Sequence, residues 1–83
     1  MKITDFLVMD TNGDEIDADS HGNNLAFSCP LCKHPVLAVA LDNQRGSDEH
    51  HPAHCRGCGT GYFLDVRPHA EKLYVHFSDD FLN

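Results

Sequence analysis

The chain's only cysteines fall in two pairs, Cys29-Pro-Leu-Cys32 and Cys55-Arg-Gly-Cys58, separated by 22 residues. Two residues between cysteines let both sulfurs reach one ion from a tight knuckle turn, where nearby N–H groups can hydrogen-bond to the thiolates. Gly57 and Gly59 stand where such a knuckle needs positive φ or a close approach of the backbone. Four thiolates close a tetrahedron and leave no position for water or substrate, so the expected chemistry is structural: one Zn²⁺ on Cys29, Cys32, Cys55 and Cys58. Iron suits the same four ligands and would bring electron transfer with it. A disulfide framework usually spreads its cysteines among separate loops, so the pairing favours metal.

The other reactive residues do not assemble a second site. His50, His51 and His54 lie just before Cys55, but four cysteines already fill the tetrahedron, and a solvated, titrating loop is expected there. His34 is expected to pack or hydrogen-bond beside the first knuckle. His21, His69 and His76 are expected at the surface, in a loop, in a turn and on the outward face of a strand. The stretch from Asp10 to Asp17 repeats oxygen ligands at alternate positions like a calcium loop. It departs from that pattern, with Glu15 where the loop needs glycine and His21 where it needs a bidentate glutamate. There is no Gly-x-Ser-x-Gly elbow and no phosphate-cradling Gly-x-x-x-x-Gly-Lys loop. The chain is therefore expected not to be an enzyme.

Net charge is −7, and four metal-bound thiolates with one Zn²⁺ would take it to about −9. Residues 1–28 sum to −5, residues 29–61 to zero and residues 62–83 to −2. Affinity for nucleic acid comes largely from Lys and Arg displacing counterions, so this balance points to a protein partner with a basic surface. Asp10, Asp14, Glu15, Asp17 and Asp19 are the expected contact residues. A sharper form of this expectation is a phage-type or accessory inhibitor that presents carboxylates where phosphates would sit. The alternative is a nucleic-acid-binding module using Lys33, His34, Arg45 and Arg56, with Tyr62 or Phe63 for stacking.

The elements that must position these residues read as all-β. Residues 6–9 form a short strand, Asn12-Gly13 supplies the positive φ of a tight turn, and residues 15–18 return, giving an acidic N-terminal hairpin. A weaker strand at 25–27 leads into Cys29. The apolar run 36–41 is expected as a buried strand, residues 42–54 as a polar surface loop, and 61–67 and 72–78 as strands joined by a turn at 68–71. In the last strand Leu73, Val75 and Phe77 share one face, and Tyr74 and His76 the other. A chain of 83 residues buries too little apolar surface to dispense with a staple, and its core is expected from Leu, Val, Ile, Ala and five Phe. The apolar run at 6–9 is too short for a signal-peptide core or a membrane span, so a cytoplasmic protein is expected, without membrane attachment. An exposed strand edge leaves monomer and homodimer both open.

The Cys-Pro-Leu-Cys knuckle, the Val-rich strand after it, and the Cys-Arg-Gly-Cys-Gly knuckle with its following hairpin resemble a rubredoxin-type zinc ribbon. The resemblance covers about residues 25–78, with residues 1–24 as an added acidic arm, all within one domain spanning 1–83. It implies a metal and a fold more than a biological role, since ribbons serve in transcription, translation, nucleic-acid enzymes and protein docking.

Overall fold

Short runs of alternating apolar residues, punctuated by Gly, Pro and Asn, become seven strands among the described residues: β1 (Leu7–Asp10), β2 (Ala18–His21), β3 (Asn24–Ser28), β4 (Pro35–Val39), β5 (Ala53–His54), β6 (Gly61–Arg67) and β7 (Lys72–Phe77). The computed structural model describes residues 2–78. Met1 and residues 79–83, the two ends of the expected 1–83 span, lie outside the described residues. The fold is all-β as expected, with a single 3-10 turn at Pro68–Ala70. Among the described residues no helix is long and apolar enough to cross a membrane.

The strands form two sheets, one ordered β1-β7-β6-β5 and the other β2-β3-β4. β1 runs parallel to β7, while β7, β6 and β5 are antiparallel neighbours. The second sheet is an antiparallel meander: β2 turns through Gly22-Asn23 into β3, and β3 returns as β4. Gly22 has φ +64°, the conformation that a two-residue hairpin turn demands.

The expected N-terminal hairpin is cut short. The turn forms, with Gly13 at φ +87° and main-chain bonds from Asp10 N to Asp14 O and from Ile16 N to Val8 O. Pairing then stops after a single bridge between Met9 and Glu15, and the return leg to Ala18 is not a strand. The physical reason is competition for partners. β1 is claimed by β7 along its whole length, while the chain beyond Asp17 leaves to pair with β3. The first 24 residues thus supply strands to both sheets.

The core lies between the sheets and is built from Ile3, Val8, Leu25, Phe27, Val36, Ala38, Tyr62, Leu64, Leu73 and Val75, with Cys29 and Cys55 at one end. It draws less on phenylalanine than expected. Phe27 is buried, but Phe6 and Phe63 are half-exposed and Phe77 is 43% exposed, and Tyr62 fills the central aromatic position. The apolar run after the first knuckle alternates: Val36 and Ala38 point inward, whereas Leu37 and Leu41 face outward. His76 also departs from a plain surface position. It is half-buried, with Nδ1 2.9 Å from Thr11 Oγ1 and Nε2 3.3 Å from Asp65 Oδ2, tying the β1 turn to β6 and β7. Arg67 grips the same Asp65 through two hydrogen bonds of 3.0 and 2.8 Å and, with His76, holds its carboxyl below the usual range.

The polar segment 42–54 is more than a surface loop. Arg45 O accepts from Val39 N of β4 at 2.8 Å, and Gly46 O accepts from Leu64 N of β6 at 2.8 Å, so the loop stitches one sheet to the other. Gly46 is buried at φ +87°, and a Cβ there would sit 2.6 Å from Ala38 Cβ. Gly13 shares the dihedral but has nothing within 4 Å of a Cβ. Gly46→Ala is therefore expected to cost roughly 2–5 kcal/mol, from backbone strain plus overpacking, and Gly13→Ala about 1–2 kcal/mol from strain alone. Urea denaturation of both variants checks this, and equal losses would show that the stitch does not depend on the missing side chain.

Candidate metal centre

Each cysteine pair closes a hairpin. Residues 29–34 join β3 to β4, flanked by the Ser28–Pro35 pair, and residues 55–60 join β5 to β6, flanked by the His54–Gly61 pair. The two loops use the same main-chain bonds. Cys29 N donates to His34 O at 2.9 Å and Lys33 N to Cys29 O at 2.8 Å; Cys55 N donates to Thr60 O at 2.8 Å and Gly59 N to Cys55 O at 2.7 Å. Lys33 and Gly59 occupy equivalent places and both have positive φ, 68° and 80°. Gly57 serves the other expected purpose, close approach. A Cβ there would lie 2.9 Å from Cys32 Sγ and 2.9 Å from His34 Cβ.

The knuckles come from different sheets and meet tip to tip. All four Sγ atoms lie within 4.8 Å of one another, with Cys29 and Cys58 3.6 Å apart and Cys32 and Cys55 3.3 Å apart. Sulfurs about 2.3 Å from a common tetrahedral ion would be about 3.8 Å apart, so the ligand set fits one zinc- or iron-sized ion. The same separations are well beyond the roughly 2.05 Å of a disulfide, and all four thiols are free. The first cysteine of each pair is buried and the second exposed, so any ion would sit at the edge of the core with one side toward solvent.

The surroundings favour thiolates, up to a limit. Burial opposes ionisation of Cys29, but hydrogen bonds from the Tyr62 hydroxyl and from the Cys32 and Leu31 main chain outweigh it and bring the thiol down to about 6. Thr60, through its hydroxyl at 3.1 Å and its main chain, holds Cys58 below the ordinary thiol range. The main chain of His34 favours the Cys32 thiolate, yet the adjoining Cys55 sulfur, burial and the Cys58 and Cys29 sulfurs together outweigh it and push this thiol up to about 12. Four negative sulfurs this close require a cation between them, and binding one would displace the last protons.

Tyr62 is the residue that sequence reasoning misplaced. It is only 1% exposed, so it cannot stack on a base; its hydroxyl lies 3.0 Å from Cys29 Sγ, where the phenol donates to the thiolate. Burial and the neighbouring cysteines keep that phenol protonated. Thr60 was not anticipated either, although its place two residues after Cys58 puts a hydroxyl in reach of that sulfur. Lys33, Arg45 and Arg56 are exposed, and so is His34, whose main chain nevertheless hydrogen-bonds within the first knuckle.

No histidine joins the four-cysteine cluster among the described residues. His51 is engaged by Asp48 at 2.9 Å, His50 and His54 are exposed, and His34 contributes its carbonyl to the first knuckle. The acidic residues lie apart from the sulfurs. Asp10 accepts from Asn12 N and Asp14 N at 2.8 and 3.0 Å, Asp14 and Glu15 are exposed on the β1 turn, and Asp17 and Asp19 border a shallow depression beside β2. The Asp10 bonds make a turn-closing motif of the stretch that resembles a calcium loop.

Comparison with protein-family models, with curated proteins and with solved structures gives no match. What the chain does must therefore be argued from the site itself. Removing the phenol hydroxyl in Tyr62→Phe is expected to keep the fold and weaken metal binding about 10-fold or more. Competition against a chromophoric chelator measures this, and an unaltered affinity would mean that the hydrogen bond to Cys29 does not help hold the ion.

Proposed function

We propose that this chain is a non-catalytic, cytoplasmic protein-interaction module folded around one structural Zn²⁺ and docking through acidic residues on a basic protein surface. The observation that carries the metal half is the convergence of four cysteine sulfurs within 4.8 Å from two hairpins in different sheets. A complete set of four protein ligands leaves no coordination position for a substrate, which favours a structural over a catalytic ion. Zinc is favoured over iron because a structural role needs no redox chemistry, and no exposed aromatic relay is required to explain the site.

The docking half is supported by charge. Residues 1–28 carry −5, and Asp14, Glu15, Asp17 and Asp19 are exposed. Dense charge of one sign steers a complementary partner and speeds encounter more than it adds affinity. An inhibitor that occupies a nucleic-acid-binding surface is the sharper form of this reading, with these carboxylates standing where phosphates would. The nucleic-acid-binding alternative loses Tyr62, which is buried, and retains the half-exposed Phe63 and a sparse set of cations, Lys33, Arg45 and Arg56.

Two measurements test the two halves. Elemental analysis of gently purified protein should give one zinc per chain, and Cys29→Ser or Cys55→Ser should unfold it. A structural zinc contributes about 10–16 kcal/mol, as much as or more than the whole stability of a typical domain. A metal-free Cys29→Ser variant with a native melting transition would refute the staple. For docking, anisotropy titrations against a labelled Lys/Arg-rich peptide and against labelled single-stranded DNA should show salt-sensitive binding to the peptide alone. Tighter, steeply salt-dependent binding to DNA would reverse the assignment.

A further inference from the structure

Next to the metal centre the surface opens into a groove of about 190 Å³ between the first knuckle, the β1 turn and β7. Its floor is aromatic: Tyr62 lies 5.3 Å, centroid to centroid, from both Phe27 and Phe77. Ile16 and Pro30 form apolar walls, and the exposed ring of Phe77 stands at the mouth. One lip is the β1 turn, with Asp10 lining the groove and the exposed Asp14 and Glu15 following it in the same turn.

We propose that this groove receives one large apolar side chain from a partner polypeptide whose flanking Lys or Arg residues pair with the acidic lip. The inference rests on the docking reading above and gives it a place and a recognition chemistry. Size sets the first limit. Drug-sized ligands need about 300–1,000 Å³, whereas a cavity of about 150 Å³ already takes benzene, so the groove suits a single aromatic or branched side chain. Charge sets the second. A nucleic acid would meet the carboxylate lip, and a second copy of this chain would bring another −7. The chain's own last residues carry Asp79 and Asp80 ahead of Phe81 and Leu82 and would bring the same sign to the lip. A basic segment with an apolar anchor satisfies both limits, the anchor supplying affinity and the cations orientation. The floor is fixed in place, because the Tyr62 hydroxyl is held 3.0 Å from Cys29 Sγ.

The test uses the full-length, metal-loaded, ¹⁵N-labelled protein and three capped peptides: Arg-Lys-Phe-Lys-Arg, the same peptide with Ala for Phe, and Glu-Asp-Phe-Asp-Glu. The first should shift the amide resonances of Thr11, Asn12, Ile16 and Phe77. The Ala peptide should bind about 10-fold more weakly, the loss expected for one buried aromatic side chain, and the acidic peptide should cause no shifts. Asn12→Arg, which sets a cation on the lip at an exposed position, should weaken the first peptide while leaving the resonance dispersion of the fold intact. Equal binding of the Phe and Ala peptides, or shifts that map away from the groove, would overturn the groove and leave basic-surface docking standing. Absence of binding by both basic peptides at low salt would overturn the groove and the docking reading together. Concentration-dependent broadening of the groove resonances without peptide would assign the site to a second copy and overturn the proposal.

Discussion

Two hairpins from different sheets end in loops whose four sulfurs lie within 4.8 Å, so a cation held by those sulfurs would tie one sheet to the other. Without a cation the arrangement works against itself, since each thiolate raises the cost of the next, and the Cys32 thiol is pushed up to about 12. With one, the repulsion becomes ligation and the hairpin tips are cross-linked. The sheets are also linked by the Arg45–Gly46 stitch, by hydrogen bonds from Ile3 N to Gly22 O and from Gly22 N to Thr4 Oγ1 ahead of β1, and by a core whose facing residues include small ones, Ala38 and Ala53 among them. A domain this small gains more from closing such a cross-link than from any single apolar contact.

The two knuckles are alike in backbone and differ in what surrounds them. Matching hydrogen bonds and matching positive-φ residues build each loop, so geometry alone would give a symmetric site. The asymmetry comes from side chains: Tyr62 reaches the sulfur of Cys29, and Thr60 that of Cys58, each from the second hairpin or its outgoing strand. Tyr62 thereby does three things at once. Its ring fills the core against Phe27, its hydroxyl hydrogen-bonds a candidate ligand sulfur, and it lies buried behind the groove, packed against Phe77. Metal centre, core and surface groove thus share one side chain, which makes the groove's shape depend on the state of the sulfurs.

The metal ligands were legible because the chemistry imposes a spacing, and no folded context can change which residues are cysteine. The strands β6 and β7 were legible for a similar reason, since their apolar alternation is long enough to declare a face. The β2–β3 hairpin was not. Its turn signal, Gly22-Asn23, is present, but β2 reads Ala-Asp-Ser-His, and such residues say little about pairing when the strand's own burial is slight. The parallel contact of β1 with β7 joins segments more than sixty residues apart, and local pattern carries no information about it. Tyr62 was misassigned because an aromatic residue after a knuckle suits either base stacking or a core position, and only the register of β6 against β7 decides which face it takes. Loop 42–54 was read by its polarity, which hid Gly46, a residue whose value lies in the side chain it lacks.

That topology also bears on the acidic residues. Read along the sequence, residues 1–24 form an added acidic arm carrying −5. In the fold they are shared between sheets, because β1 lies against β7 and β2 against β3. Asp10 and Asp19 lie in paired strands and cannot move apart without breaking that pairing, while Asp14, Glu15 and Asp17 lie between β1 and β2, so part of their mutual repulsion is borne by the folded state. A partner that brings cations to them lowers that repulsion in the native state and has no comparable effect on an extended unfolded chain. Binding and folding would therefore be linked: a basic partner on the acidic surface proposed for docking would stabilise the folded chain. A cation held by the four sulfurs would offset the same repulsion from the other end, since it would cross-link the two sheets that the core joins.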